Sequence, residues 1–203
     1  MKKLMKLVAL VVMAVSLFAV GGVIADKQKL SQGIVRLHVI ANSDSQEDQA
    51  QKLQVRDAIV AYLQPKMQQI TDKEQAMAYL SQSLQQIEKT ANAALEKIGS
   101  PHKATVILDK AIFDTRDYET FSLPAGVYDA LRVQIGAAEG KNWWCVVFPT
   151  LCLPASGDEF AATAAASGFD DQLSNTLQKT DGYEIRFFLL DCIGKVENFF
   201  HKE

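Results

Sequence analysis

Between Ile98 and Lys103 the hydrophobic repeat of the chain changes period, and that change limits the fold more than any other feature. Upstream, Met77, Leu80, Leu84, Ile87, Ala91, Ala94, Leu95 and Ile98 recur at helical spacing, with glutamine, serine and lysine on the opposite face. Downstream, residues 105–108, 127–135 and 143–148 alternate and are rich in β-branched and aromatic side chains, as strands are. Helices gathered before the change and strands after it predict a single α+β domain. The predicted order is a strand at 34–41, helices at 45–64 and 71–98, an antiparallel β-meander, and a carboxy-terminal strand or helix.

Punctuating residues set the limits of these elements. Thr71-Asp72-Lys73-Glu74 fits a capping box, and Gly99 and Pro101 close the second helix. The first helix has several caps to choose from in residues 42–49, whose acids suit its positive end, and Pro65 predicts where it stops. That acidic cluster lacks the central glycine and distal glutamate of a calcium loop, so it reads as caps. Within the helix, Arg56 and Asp57 read as a local ion pair. Pro124 and Gly126 introduce the middle strand of the meander, where a turn with positive φ suits the glycine. Residues 136–142 then supply a hairpin loop whose glycines are too loosely spaced to cradle a phosphate. Beyond the meander, 156–166 is alanine-rich and helix-compatible, 183–190 fits a strand or the start of a helix, and 191–200 fits a helix.

At the amino end, Lys2, Lys3 and Lys6 precede an apolar run from Leu7 to Ile24. A basic stretch followed by an apolar one is an export signal. Two readings stand for residues 1–25: a signal peptide cut near Gly22 or Asp26, or an uncleaved membrane anchor at the short end of the range that spans a bilayer. Either one places residues 26–203 outside the cytoplasm, beginning with a short polar linker at 26–32. The net charge is −3, and the three lysines of the signal carry no compensating acids. An acidic exported domain is a poor partner for nucleic acid or for an electrostatic grip on anionic lipid, so membrane contact is expected only through the amino-terminal segment.

Three cysteines, Cys145, Cys152 and Cys192, allow one disulfide in an oxidising compartment and leave one thiol. The preferred pair is Cys145 with Cys152. Seven extended residues would span roughly 23 Å, so the chain must bend back between the two, and Pro149 is where it would do so. No nearby His completes a tetrahedral metal set, and neither a metal nor a cofactor is expected. Alternation puts Val35, Leu37 and Val39 on one face of the first strand and Arg36 and His38 on the other, expected to meet solvent or a helix. By the same rule Trp143 and Trp144 face opposite ways, one into the core and the other towards a partner or a covering helix. Cys145, His38 and an aspartate could on paper form a nucleophilic trio, which gives an alternative reading as an exported cell-envelope hydrolase.

Three segments carry a resemblance. They are Arg36-Leu37-His38-Val39-Ile40-Ala41-Asn42-Ser43-Asp44-Ser45 with Val55-Arg56-Asp57-Ala58; Pro124-Ala125-Gly126-Val127-Tyr128 leading to Asn142-Trp143-Trp144-Cys145-Val146-Val147-Phe148-Pro149 and Leu151-Cys152; and Arg186-Phe187-Phe188-Leu189. Together they resemble the stage II sporulation protein R family of endospore-forming bacteria. Two departures are visible: the family's Pro-Pro before the second cysteine is Pro149-Thr150 here, and its glycine-rich hairpin is thinned to Gly136-Ala137-Ala138-Glu139-Gly140. The resemblance implies a forespore protein exported into the space between forespore and mother cell. There it would activate a membrane-embedded aspartic protease that processes the precursor of the early mother-cell sigma factor. On that account the chain is a signal and not an enzyme, with Arg36, His38, Asn42, Asp44, Trp143 and Trp144 as candidate contacts.

Overall fold

In the computed structural model, residues 2–118, 121–149, 169, 171–178 and 185–201 are described. The chain runs α1 (Lys2–Gly33), β1 (Val35–Ile40), α2 (Gln46–Met67), α3 (Lys73–Lys97), β2 (Ala104–Phe113), β3 (Arg116–Asp117), β4 (Ser122–Leu123), β5 (Gly126–Ile135), β6 (Asn142–Phe148), α4 (Asp171–Leu177) and α5 (Ile185–His201). The α+β class holds, with both predicted central helices and all four long strands present. Ser45 caps α2 by accepting from the Asp48 amide, and Asp72 caps α3 by accepting from the Gln75 amide, one residue later than the predicted box. Pro65 does not end α2 but lies inside its last turn, which closes when the Gln68 amide donates to Gln64 O. The missing proline N–H leaves Ala61 O without its usual donor, a loss of one bond that the helix carries into its last turn.

The main sheet has the order β2-β5-β1-β6. β2 pairs antiparallel with β5 over ten residues, as the meander predicts, and Gly126 takes the positive φ expected of it, 151°. The continuation differs. β1 inserts between β5 and β6, parallel to the first and antiparallel to the second, so residues 136–141 join non-adjacent strands and are not a hairpin loop. Parallel pairing needs a long crossover, and the two helices α2 and α3 supply it.

Two apolar layers flank the sheet. Val35, Leu37, Val39, Leu131, Val133, Cys145 and Val147 pack on Val55, Ile59 and Leu63 of α2 and Leu80, Ile87 and Leu95 of α3. The opposite face, with Tyr128, Ala130 and Val146, packs on Val23 and Leu30 of α1, Leu173 and Leu177 of α4 and Leu190 of α5. Residues 26–32 are therefore the inner end of α1 and not a linker: Asp26, Lys27 and Leu30 are buried, and Lys27 meets Glu197 of α5 at 3.1 Å. Residues 185–190 belong to helix α5, which settles the open choice between strand and helix. The alanine-rich stretch 156–166 lies outside the described residues. Among the described residues no helix is long and apolar enough to cross a membrane; the side chains of 14–20, in the middle of the apolar run, lie outside them.

Candidate functional site

The β1–β6 pair brings the candidate residues together. Its register sets His38 opposite Trp144, Val39 opposite Trp143, Leu37 opposite Cys145 and Arg36 opposite Val146. Directly opposed residues point to the same face of a sheet. Cys145 therefore looks towards α2 and α3, whereas His38 and Arg36 look towards the layer built by α1, α4 and α5. The two residues of the proposed nucleophilic trio stand on opposite faces.

On the second face the side chains form an aromatic and cationic stack. The His38 ring lies on the Trp144 indole, with centroids 3.8 Å apart and planes 17° from parallel. Phe113 meets that indole edge-on at 4.8 Å, and the Arg116 guanidinium lies 5.0 Å from its centroid. Arg36, fully buried, sits 4.0 Å over Phe113 and 5.2 Å from Tyr128, and its Nη2 donates to Tyr118 Oη at 3.0 Å. Arg36 and His38 thus do not meet solvent; they are covered by the ends of β2 and by β3. Sequence reading missed Phe113, Arg116 and Tyr118, because nothing in strand period says that the end of one strand folds over the middle of another.

Burial pushes the His38 imidazole down to about 4, with the guanidiniums of Arg132, Arg36 and Arg116 adding to the shift and Asn142 opposing it. Asn142 is near enough to act on the charge, but among the described residues neither ring nitrogen has a partner within hydrogen-bond geometry. Hence, among the described residues, no carboxylate orients this ring, and no hydroxyl or thiol is activated by it. The Nε and Nη1 of Arg36 are also buried without partners among the described residues. A guanidinium held only by one hydroxyl and two rings gains little against its desolvation. Replacing Arg36 with methionine is expected to leave the unfolding free energy unchanged or raise it by ~1–3 kcal/mol. Urea unfolding measures this, and a loss of stability would show that the ring contacts outweigh the lost hydration.

The two tryptophans do face opposite ways, but both are half-buried, rather than one core and one exposed. Trp143 packs at the margin of the α2–α3 layer, where the Arg56 guanidinium covers it at 4.1 Å. Arg56 also keeps its predicted local pair, its Nε donating to Asp57 at 2.7 Å.

Asn42 and Asp44 serve the loop at the end of β1. Asn42 accepts from the Ala137 amide at 2.9 Å and donates to Asp48 at 2.9 Å, while its carbonyl accepts from the Glu139 amide. Asp44 accepts from the Lys141 amide at 2.6 Å. Hydrogen bonds from Ser43 and Asn42 hold the Asp48 carboxyl below its ordinary value, despite burial pulling the other way. Gly140 is required here, since a Cβ would stand 2.2 Å from Ser43 O. Asn42→Ala is expected to cost ~1–2 kcal/mol by removing the bonds to the exposed Ala137 amide and to part-buried Asp48, read as a lower urea midpoint with unchanged slope.

The stage II sporulation protein R family profile matches residues 31–157, which include all of β1 to β6. The chain belongs to that family. Stage II sporulation protein R of Bacillus subtilis (strain 168) is 32% identical over 177 residues, covering 78% of this chain and 79% of that protein. No solved structure matches the chain at a significant level. The match to stage II sporulation protein R gives the β1–β6 unit its interest: the run of residues that carried the resemblance is the edge strand β6, laid against β1. Among the described residues, no group of His, Cys, Asp and Glu is placed to hold a metal ion.

Proposed function

We propose that this chain is an exported sporulation signal that activates a membrane-embedded aspartic protease, which then processes the precursor of the early mother-cell sigma factor. Membership of the stage II sporulation protein R family carries the reading. The basic and apolar amino end supports export into the space between forespore and mother cell, with the segment either removed or kept as an anchor. The separation of Cys145 from His38 on opposite sheet faces weighs against the hydrolase alternative.

The surface offered to the protease in this reading is the rim where β6 begins beside the Asn42 loop. Asp44, Glu47 and Asn142 are exposed there, flanked by half-buried Trp143 and Trp144. A photocrosslinker at Glu47 or Asn142 in sporulating cells is expected to capture the protease. Capture from Lys89, exposed on α3, but not from these two positions would move the contact elsewhere.

The Cys145–Cys152 clasp is part of the same proposal. Cys192 is free, which leaves that pair as the one available within the chain; Cys152 lies outside the described residues. Mass measurement of alkylated, unreduced protein from the exported fraction is expected to show one blocked thiol, at Cys192. Three blocked thiols would remove the clasp.

A further inference from the structure

Helix α5 sends polar side chains inward beside Leu190, Phe187 and Ile193. Its inward side carries Leu190, Asp191, Gly194 and Asn198. Asp191 accepts from the Ala125 amide at 2.9 Å and from Thr115, and Asn198 donates to Phe113 O at 2.8 Å. Its outward side carries Ile185, Phe188, Leu189, Val196, Phe199 and Phe200, with exposures from 36% to 72%. At about 100° per residue these fall, with Cys192, in an arc of roughly 120° that holds no charged side chain. Lys195 and Arg186 flank it. Water is a poor neighbour for six large apolar groups set side by side, and soluble monomers seldom expose such a patch without a use for it.

The setting of α5 against α1 identifies the neighbour. Asp26 pairs with Arg186 and Lys27 with Glu197, so adjacent residues of α1 reach two points eleven residues apart on α5, and the helices cross. From Leu30, in the core, α1 runs outward past α5 and leaves the domain beyond Val23, its last buried side chain among the described residues. Met13, Val11, Leu10 and Leu7 are exposed farther out along α1. A helix lying across the base of an apolar helix that leaves the domain is placed to rest in the plane of a membrane interface, phenyl groups down and cations at the edge.

We propose that, in the chain that keeps its amino-terminal segment, the outward face of α5 docks on the surface of a phospholipid bilayer, at the headgroup–acyl boundary where the apolar run of α1 enters. The domain would then make a second membrane contact, independent of net charge, that sets its orientation above the bilayer. The full chain is reconstituted in vesicles of phosphatidylethanolamine and phosphatidylglycerol, with a photoreactive phenylalanine analogue in place of Phe199, of Val196, or of Leu53 on α2. Phe199 and Val196 are open to solvent, so the replacements break no contact of the core. Lipid adducts at 199 and 196 several-fold above the Leu53 position are expected. Equal yields at the three positions would overturn the proposal, as would adducts at 199 and 196 to a second copy or to another segment of the same chain.

Discussion

Gly194→Ala is expected to be the most damaging single methyl that this fold can receive. A Cβ at that position would stand 1.6 Å from Ala125 O and 2.4 Å from its carbonyl carbon, which is backbone and cannot swing aside. The clash lies where α5 meets the start of β5, beside the Asp191 bonds to Ala125 and Thr115. To make room, α5 must lift, and lifting it also breaks the Asn198 bond to Phe113 and the Glu197 contact with Lys27. A cost of about 3 kcal/mol or more follows from overpacking together with orphaned buried groups. Urea unfolding should show it as a large drop in midpoint; a variant within ~0.5 kcal/mol of the parent would mean that α5 is not seated as described.

The second large effect is acid-linked and belongs to His38. Its folded value of about 4 lies below the unfolded 6.5, so the unfolded chain takes up the proton first. Stability is then complete above pH 6.5 and falls as pH drops from 6.5 towards 4, by up to about 3 kcal/mol. Asp48, held below its ordinary 3.8, loses its contribution only at lower pH, outside that window. His38→Phe keeps the stack on Trp144 and breaks no hydrogen bond, because neither ring nitrogen makes one. The variant should therefore lose markedly less stability than the parent between pH 7 and 4.5. Equal losses would assign the acid sensitivity to other groups.

Local features of the fold were legible because local chemistry makes them. Ser45 caps α2 from the cluster that offered caps, α3 is capped within one residue of its predicted box, and the α3 repeat buries Leu80, Ile87 and Leu95 as its spacing requires. The place of β1 between β5 and β6 was not legible, since alternation says which residues share a face and nothing about which strand lies alongside. Arg36 and His38 read as facing solvent or a helix, because alternation fixes the face and not what covers it. Here the second face is roofed by the end of α1, by α4 and by α5, and Phe113, Tyr118 and Arg116 fold over both residues. The inner end of α1 read as a linker because Asp26, Lys27 and Gln32 are polar, but two of them are satisfied by ion pairs with α5, 160 or more residues away. Helical period alone also cannot tell which side of α5 faces in, and its inner side sets Asp191 and Asn198 beside Leu190.

Of the candidate site, the sequence showed the residues but not their division of labour. Asn42 and Asp44 tie a loop, Arg36 and His38 fill a buried stack, and the exposed remainder is the rim around Asn142.

Export followed by signalling is tested most directly by following precursor processing in sporulating cells whose own copy has been removed. One culture supplies the full chain, and another supplies it with Leu10 and Val11 replaced by arginine. Both residues are exposed on α1, 58% and 54%, so the charges should block export without disturbing the folded domain. The account predicts that the precursor is processed with the full chain and stays uncut with the retained one, although both accumulate as folded protein. Processing by the chain trapped inside the forespore, or none by the exported folded chain, would contradict it.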